Sequence, residues 1–306
     1  MLSQVAERIY WFARYLERTE NTARLILVQH QLMLDLPQNI QPTWQLTIDM
    51  LGKNDQFNKT NKIASEKNVI SFVFGSPDNP GSIVSSIANA RENMRTTREV
   101  LPSETWERLN SLYLSVVRRS GKGLSRETRH KVLNSIVQSC QQITGLLLGT
   151  MNHDDAYQFI RLGRNLERAD MSTRIVDVGS ASLDGDKEEI LPYKNVLWIS
   201  ILRSLSAYQM YRQYVRKNVS RESVLNFLLK SEVFPRATAH QLGELKQCVE
   251  ILPNHTEILS IITKLADKLK TVSMNDMKDA TLHEFIDELQ AELGRIHEYI
   301  QKTWFH

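Results

Sequence analysis

Arg14-Tyr15-Leu16-Glu17-Arg18-Thr19-Glu20-Asn21-Thr22-Ala23-Arg24-Leu25 is the stretch that decides the fold. It sits inside residues 3–34, which hold neither proline nor glycine and place apolar side chains every three or four positions. That period is helical, so one long α-helix is expected up to Pro37. On a helical wheel of about 100° per residue, Glu7, Tyr10, Arg14, Glu17, Arg18, Asn21 and Arg24 share one side. Ile9, Phe12, Leu16, Thr19, Ala23 and Leu27 fall on the other.

The same text returns 150 residues later as Arg164-Asn165-Leu166-Glu167-Arg168-Ala169-Asp170-Met171-Ser172-Thr173-Arg174-Ile175. Five of the twelve positions are identical and three more are conservative. Chance matching at ordinary residue frequencies gives about one identity. The offset is close to half of the 306 residues. A duplicated helical half is therefore expected: one domain over residues 1–306, built from pseudo-repeats 1–150 and 151–306.

Composition agrees with an all-α, multi-helix bundle. The chain holds 12 glycines and 8 prolines, roughly half the usual share, and sheets and tight turns consume both. Apolar residues at 42% and charged residues at 24% exclude a disordered tail, a coiled-coil rod and a membrane protein. Turn signals divide further helices, expected at about 43–51, 68–74, 82–100, 103–120, 125–149, 154–178, 190–217, 221–230, 236–249, 255–271 and 278–303. Residues 52–59 and 179–187 read as polar loops, Ser103 as a helix cap, and Gly145-Leu146-Leu147-Leu148-Gly149 as a close helix contact. The five tryptophans read as core aromatics. Two cysteines cannot make a disulfide framework, and Cys140 reads as a buried structural thiol. The charged opening residues lack a signal-peptide pattern, and no apolar run is of membrane length, so a cytoplasmic location is expected.

The charged residues are the unusual feature. The basic positions of both repeats are all arginine (Arg14, Arg18, Arg24; Arg161, Arg164, Arg168, Arg174), whereas a solvated face mixes arginine with lysine. The planar guanidinium grips carboxylate or phosphate in two places, which an ammonium cannot do. A third segment, residues 89–99, puts Arg91, Arg95 and Arg98 on one face with Glu92 and Glu99 nearby, and could converge with the other two between helices. Two readings follow. In one, Arg–Glu pairs knit helices together as a purely structural network; in the other, the arginines hold an anionic group, with Glu17 and Glu167 orienting them or acting as general acid and base.

These residues carry a resemblance. Ala6-Glu7-Arg8-Ile9-Tyr10-Trp11 followed by the stretch 14–24 resembles the opening signature of the alpha-E domain family. So do Asn79-Pro80, residues 90–95 with Trp106 after them, Gly163-Arg164 with Leu166-Glu167-Arg168-Ala169, and Phe234-Pro235-Arg236, in family order over about residues 2–240. Ala237 stands where the family tends to have serine, and residues 53–67 look longer and more polar than its usual loop. The resemblance implies a bacterial, all-helical protein encoded beside, or fused to, an ATP-grasp-type ligase. A transglutaminase-like protease often accompanies the pair. That context implies peptide-bond formation or peptide tagging, with a peptide or small anionic substrate. The signature positions it implies here are Glu7, Arg14, Glu17, Arg18, Glu20, Asn21, Arg24, Arg91, Glu92, Arg95, Arg164, Glu167, Arg168 and Arg236; Arg174 joins them through the repeat.

Other chemistries find little support. A di-iron site needs two Glu-x-x-His pairs and further glutamates, and Glu127…His130 is a lone pair. His153-Asp154-Asp155 reads as a helix cap, and no phosphate-binding glycine loop or nucleophile elbow is present. No metal or cofactor is expected. The acids interleaved among the arginines argue against nucleic acid. Tyr208, Tyr211 and Tyr214 with Arg203, Arg212 and Arg216 read as one Tyr/Arg-rich helix suited to a partner or to packing. The leading expectation is a non-autonomous helical component of an ATP-grasp-linked peptide ligation system. The alternatives are an autonomous enzyme using Glu17 or Glu167 with Arg14 and Arg164 as anion stabilisers, or a helical scaffold.

Overall fold

The computed structural model describes residues 2–38, 43–61, 63–120, 124–182, 191–274 and 277–306. Among them the chain forms fourteen α-helices and no strand. They are α1 (Ser3–Asp35), α2 (Gln45–Met50), α3 (Asn54–Thr60), α4 (Glu66–Gly75), α5 (Ile83–Arg95), α6 (Ser103–Ser120), α7 (Arg126–Thr150), α8 (Asp155–Ala181), α9 (Lys194–Ser204), α10 (Tyr208–Val215), α11 (Arg221–Leu225), α12 (Thr238–Ile251), α13 (Thr256–Thr271) and α14 (Asp279–Trp304). α11 runs on as a single π-helical turn, Asn226–Lys230.

Side chains seat several helix starts. Ser65, Ser82, Ser125 and Asp154 each accept a hydrogen bond from a first-turn amide, satisfying groups that the helix itself cannot. Ser103 does not: it lies inside α6 and donates to its neighbour Glu104.

The two repeat stretches lie on α1 and α8, which pack directly against each other at the centre. α5, α7 and α9 cover the remaining sides of α1; α12 and α14 cover α8. Both helices are consequently buried on more than one face, and the polar side of α1 is as enclosed as its apolar side. Ile9, Phe12 and Ala23 are 0% exposed, but so is Tyr10, and Glu17 and Asn21 are each 3% exposed. Contacts climb both helices together, Tyr10 and Ala13 beside Gly163, then Arg14 and Arg18 beside Glu167, so the pair runs in one direction. Gly163 sets their separation: a Cβ there would fall 2.3 Å from the Tyr10 carbonyl oxygen. Only a residue without a side chain lets the backbones approach this closely.

Several expectations need correcting. Residues 54–60 form α3 rather than a loop, because Phe57 is buried (1% exposed) and meets Phe72 edge-on at 5.2 Å. α8 continues through Gly179 and Ser180, both buried, to Ala181; the remainder of the expected 179–187 loop past Ser182 lies outside the described residues. So does the Gly121-Lys122-Gly123 separator. The single helix expected over 190–217 breaks at Leu205-Ser206-Ala207, where Ser206 takes a φ of 54° and Leu205 and Ala207 are buried. The Tyr/Arg stripe is thereby divided: Tyr211 is fully enclosed while Tyr214 stays 67% exposed. Gly145 and Gly149 make no close helix contact, since nothing lies within 4 Å of either Cβ position. Trp44, Trp198 and Trp304 are core residues, whereas Trp11 and Trp106 are partly buried.

Candidate functional site

The α1–α8 seam is held by two reciprocal sets of ion pairs. Glu167 accepts from Arg14 Nε at 2.8 Å and from Arg18 Nε and Nη2 at 2.6 and 3.0 Å. Glu17 lies 2.9 Å from Arg168 Nε and accepts from Arg236 Nη1 at 2.9 Å. Each glutamate of one repeat stretch thus faces the arginine that follows the glutamate of the other. Arg236 comes from the turn before α12 and spans three groups of α1, also donating to Asn21 Oδ1 at 2.8 Å and Glu20 Oε1 at 2.9 Å. Its backbone is anchored by Ser172 of α8, which donates to the Arg236 carbonyl at 2.9 Å. Arg24 completes the set by donating to Glu20 at 2.7 Å.

Burial and charge oppose each other at both glutamates. Burial disfavours their ionisation, yet Arg168 and Arg236 around Glu17, and Arg18 and Arg14 around Glu167, outweigh it and hold each carboxyl down at about 2. Both are anionic at any physiological pH, with their oxygens engaged by guanidinium groups. Such a carboxylate has no proton to give and little basicity with which to take one.

The arginines outnumber the acids. Glu17, Glu20 and Glu167 confront Arg14, Arg18, Arg24, Arg168 and Arg236 as ion-pair partners and Arg164 as an unpaired one. Arg164 makes no hydrogen bond or ion pair among the described residues, and its Nε is buried without a partner. Desolvation first, and the neighbouring Arg168 second, lower its pKa, with Glu17 only partly compensating. Beside it, Phe12, Leu16, Glu17, Glu20, Thr144 and Leu147 enclose a void of about 10 Å³, about the room one water needs.

At the other side of Glu167 the network opens to solvent. Arg174 pairs with Asp170 at 3.1 Å, and both are about a third exposed or less (34% and 26%). Lys53, at the turn between α2 and α3, follows Gly52, whose Cβ position lies 2.8 Å from Arg174 Nη1, and it feels the charges of Arg18 and Arg174. A further chain leads inward from Arg14, which donates to the Tyr10 hydroxyl at 3.3 Å. Tyr10 in turn lies 2.7 Å from His297 Nδ1 of α14. Burial, reinforced by Arg14, keeps this imidazole neutral by lowering its pKa to about 4. In the Nε2–H tautomer of His297 the Tyr10 hydroxyl donates to Nδ1 while its oxygen accepts from Arg14.

The third arginine segment does not join. Arg91 stacks over Trp106 and Tyr113 and donates to Asn110 at 2.7 Å, while Glu92 and Arg95 pair with each other on the exposed face of α5. Glu7 is partly exposed and makes no ion pair among the described residues. Sequence reasoning passed over Lys53 and His297, which come from segments with no arginine pattern. One trio among the described residues, Asp177, His283 and Asp287, could hold a metal ion; it starts one helical turn past Arg174 on α8, with His283 hydrogen-bonded to Asp177 at 2.8 Å. Both cysteines are buried, and burial pushes the Cys248 thiol up to about 12 and Cys140 well above its ordinary value, so neither is a ready nucleophile. None of the described helices is long and apolar enough to cross a membrane.

Similar proteins come from mycobacteria. An uncharacterised protein of Mycobacterium bovis and two of Mycobacterium tuberculosis are each 22% identical over 312 residues, covering 96% of this chain and 34% of their own length. The chain therefore spans about a third of the curated relatives it matches. No solved structure matches significantly. Glu-Arg dipeptides occur here at 7–8, 17–18, 107–108 and 167–168, and the two that lock the central helices together are those at 17–18 and 167–168. The Alpha-E family, described as a predicted alpha-helical domain with a conserved ER motif, matches residues 1–305, and the chain belongs to it.

Proposed function

We propose that this chain is the anion-binding helical component of an ATP-grasp-linked peptide ligation system, receiving a carboxylate- or phosphate-bearing intermediate or docking the ligase. The observation that carries the reading is the arginine excess: three carboxylates face six guanidinium groups, and Arg164 has no acidic partner at bonding distance. Arg164, partly exposed but with its Nε buried and unpartnered, carries a desolvation cost. Its retention fits a site whose missing anion arrives from outside. The ligase, and the transglutaminase-like protease that would accompany it, rest on the family resemblance. The rival acid–base reading is weaker, because Glu17 and Glu167 are held ionised at about 2.

The test is Arg164→Met. Removing an unpaired charge strands no partner, so the variant should keep or slightly raise the wild-type Tm. Binding of a carboxylate-terminated peptide, and co-purification of an ATP-grasp-type ligase, should both fall. Unchanged binding with an unchanged Tm would leave the scaffold reading in its place.

A further inference from the structure

The solvent-facing end of the network has a composition of its own. Arg18 of α1, Lys53 of the α2–α3 turn and Arg174 of α8 come together there, with a fourth cation, buried Arg14, behind Arg18 on the same carboxylate. Two carboxylates answer them, Glu167 and Asp170. Glu167 is spent on Arg14 and Arg18, and Asp170 on Arg174, which leaves Lys53 with no hydrogen bond or ion pair among the described residues. The local excess is two positive charges.

The mounting is fixed by two turns. Gly52 has a φ of +60°, and a Cβ on it would fall 2.8 Å from Arg174 Nη1, so the turn is glycine where the guanidinium crosses it. On the far side, a Cβ on Gly81 would fall 3.3 Å from Lys53 Cε. That second turn is held by buried Asn79, which donates to the Phe72 carbonyl at 3.1 Å and accepts from the Gly81 amide at 3.0 Å. Lys53 is thus confined between two glycine turns, partly desolvated and beside two like charges. Desolvation, then Arg18 and Arg174, lower its pKa.

We infer that Lys53, Arg18 and Arg174 form a phosphoryl-binding site at the mouth of the α1–α8 seam. The inference deepens the proposed function by naming the ligand class of the same network. A phosphoryl dianion supplies the two negative charges that the cluster lacks, where one carboxylate supplies half. The N–H groups of Arg18 and Arg174 not engaged by Glu167 and Asp170 can donate to its oxygens, and the ammonium adds a point charge. Arg18 and Arg174 are 25% and 34% exposed, so a ligand reaches them without opening the core.

The experiment is calorimetric titration of the full chain with inorganic phosphate, pyrophosphate and acetate, on wild type, Lys53→Met, Arg174→Met and Lys53→Arg. Wild type should bind pyrophosphate most tightly and acetate least. Lys53→Met and Arg174→Met should each lose at least about tenfold in phosphate affinity, as expected for one charge-assisted contact. Lys53→Arg should retain most of it, and thermal melts should show all three folded. Phosphate binding that ignores both substitutions would overturn the inference. Preference for acetate, unaffected by Lys53→Met and Arg174→Met, would overturn it while leaving the proposed function standing. Binding of no anion by wild type would remove both.

Discussion

Two arginine-and-glutamate segments of nearly the same composition meet opposite fates. On α1 and α8 the charges are enclosed: Glu17 and Glu167 are 3% and 2% exposed, and every bonded partner of either comes from another helix or turn. On α5, Glu92 and Arg95 pair only with each other, three residues apart, with side chains at least half exposed. The contrast teaches that a charged helix face says nothing of its burial. The neighbours decide it, and α1 has helices on nearly all sides where α5 borders α1, α4 and α6.

The comparison can be broken most forcefully at Glu167. Glu167→Ala leaves Arg14 and Arg18 buried without their anion, and the expected loss is about 3–5 kcal/mol. A chemical denaturation curve measures it, and a loss of under about 1 kcal/mol would place this pair with the surface ones.

Acid sharpens the comparison next. The His297 imidazole titrates near 4 in the folded chain and near 6.5 unfolded, so between these values the unfolded state binds the extra proton. Stability is therefore full above about pH 6.5 and falls as pH drops toward about 4. After discounting for the partly exposed ring, this arm amounts to about 1–2 kcal/mol. Glu17 and Glu167, held at about 2, add a second loss below about pH 4.5. Melting curves from pH 8 to pH 4 should show the first arm in wild type, and His297→Phe should flatten it.

The smallest effect belongs to α5. Arg95→Ala should leave the Tm unchanged within error at moderate salt, since an exposed pair is screened and mobile. A clear drop would mean that the α5 pair belongs to the folded core after all.

Much of this architecture was legible in order. The 3.6-residue period and the absence of proline and glycine mark α1 to within a residue of its observed end at Asp35, and the repeat at 164–175 marks its partner helix. These are local properties, written in the spacing of neighbouring side chains. The α3 helix was hidden because one phenylalanine, Phe57, carries its burial within an otherwise polar run. The break at Ser206 was hidden because no proline or glycine announces it.

The sequence by itself determined most of the helices, the all-α class and the family, and it pointed to the glutamates and arginines of the α1–α8 seam. It did not determine that Glu17 meets Arg168 and Arg236 while Glu167 meets Arg14 and Arg18. Nor could it tell that Arg91 would lie over Trp106, that Lys53 would join the network from a short turn, or that His297 would close it from α14. Helix formation depends on residues three and four apart, whereas a charge's partners and its solvation depend on which distant helices pack around it. Those were set by the α1–α8 crossing at Gly163, where two backbones come within reach of each other.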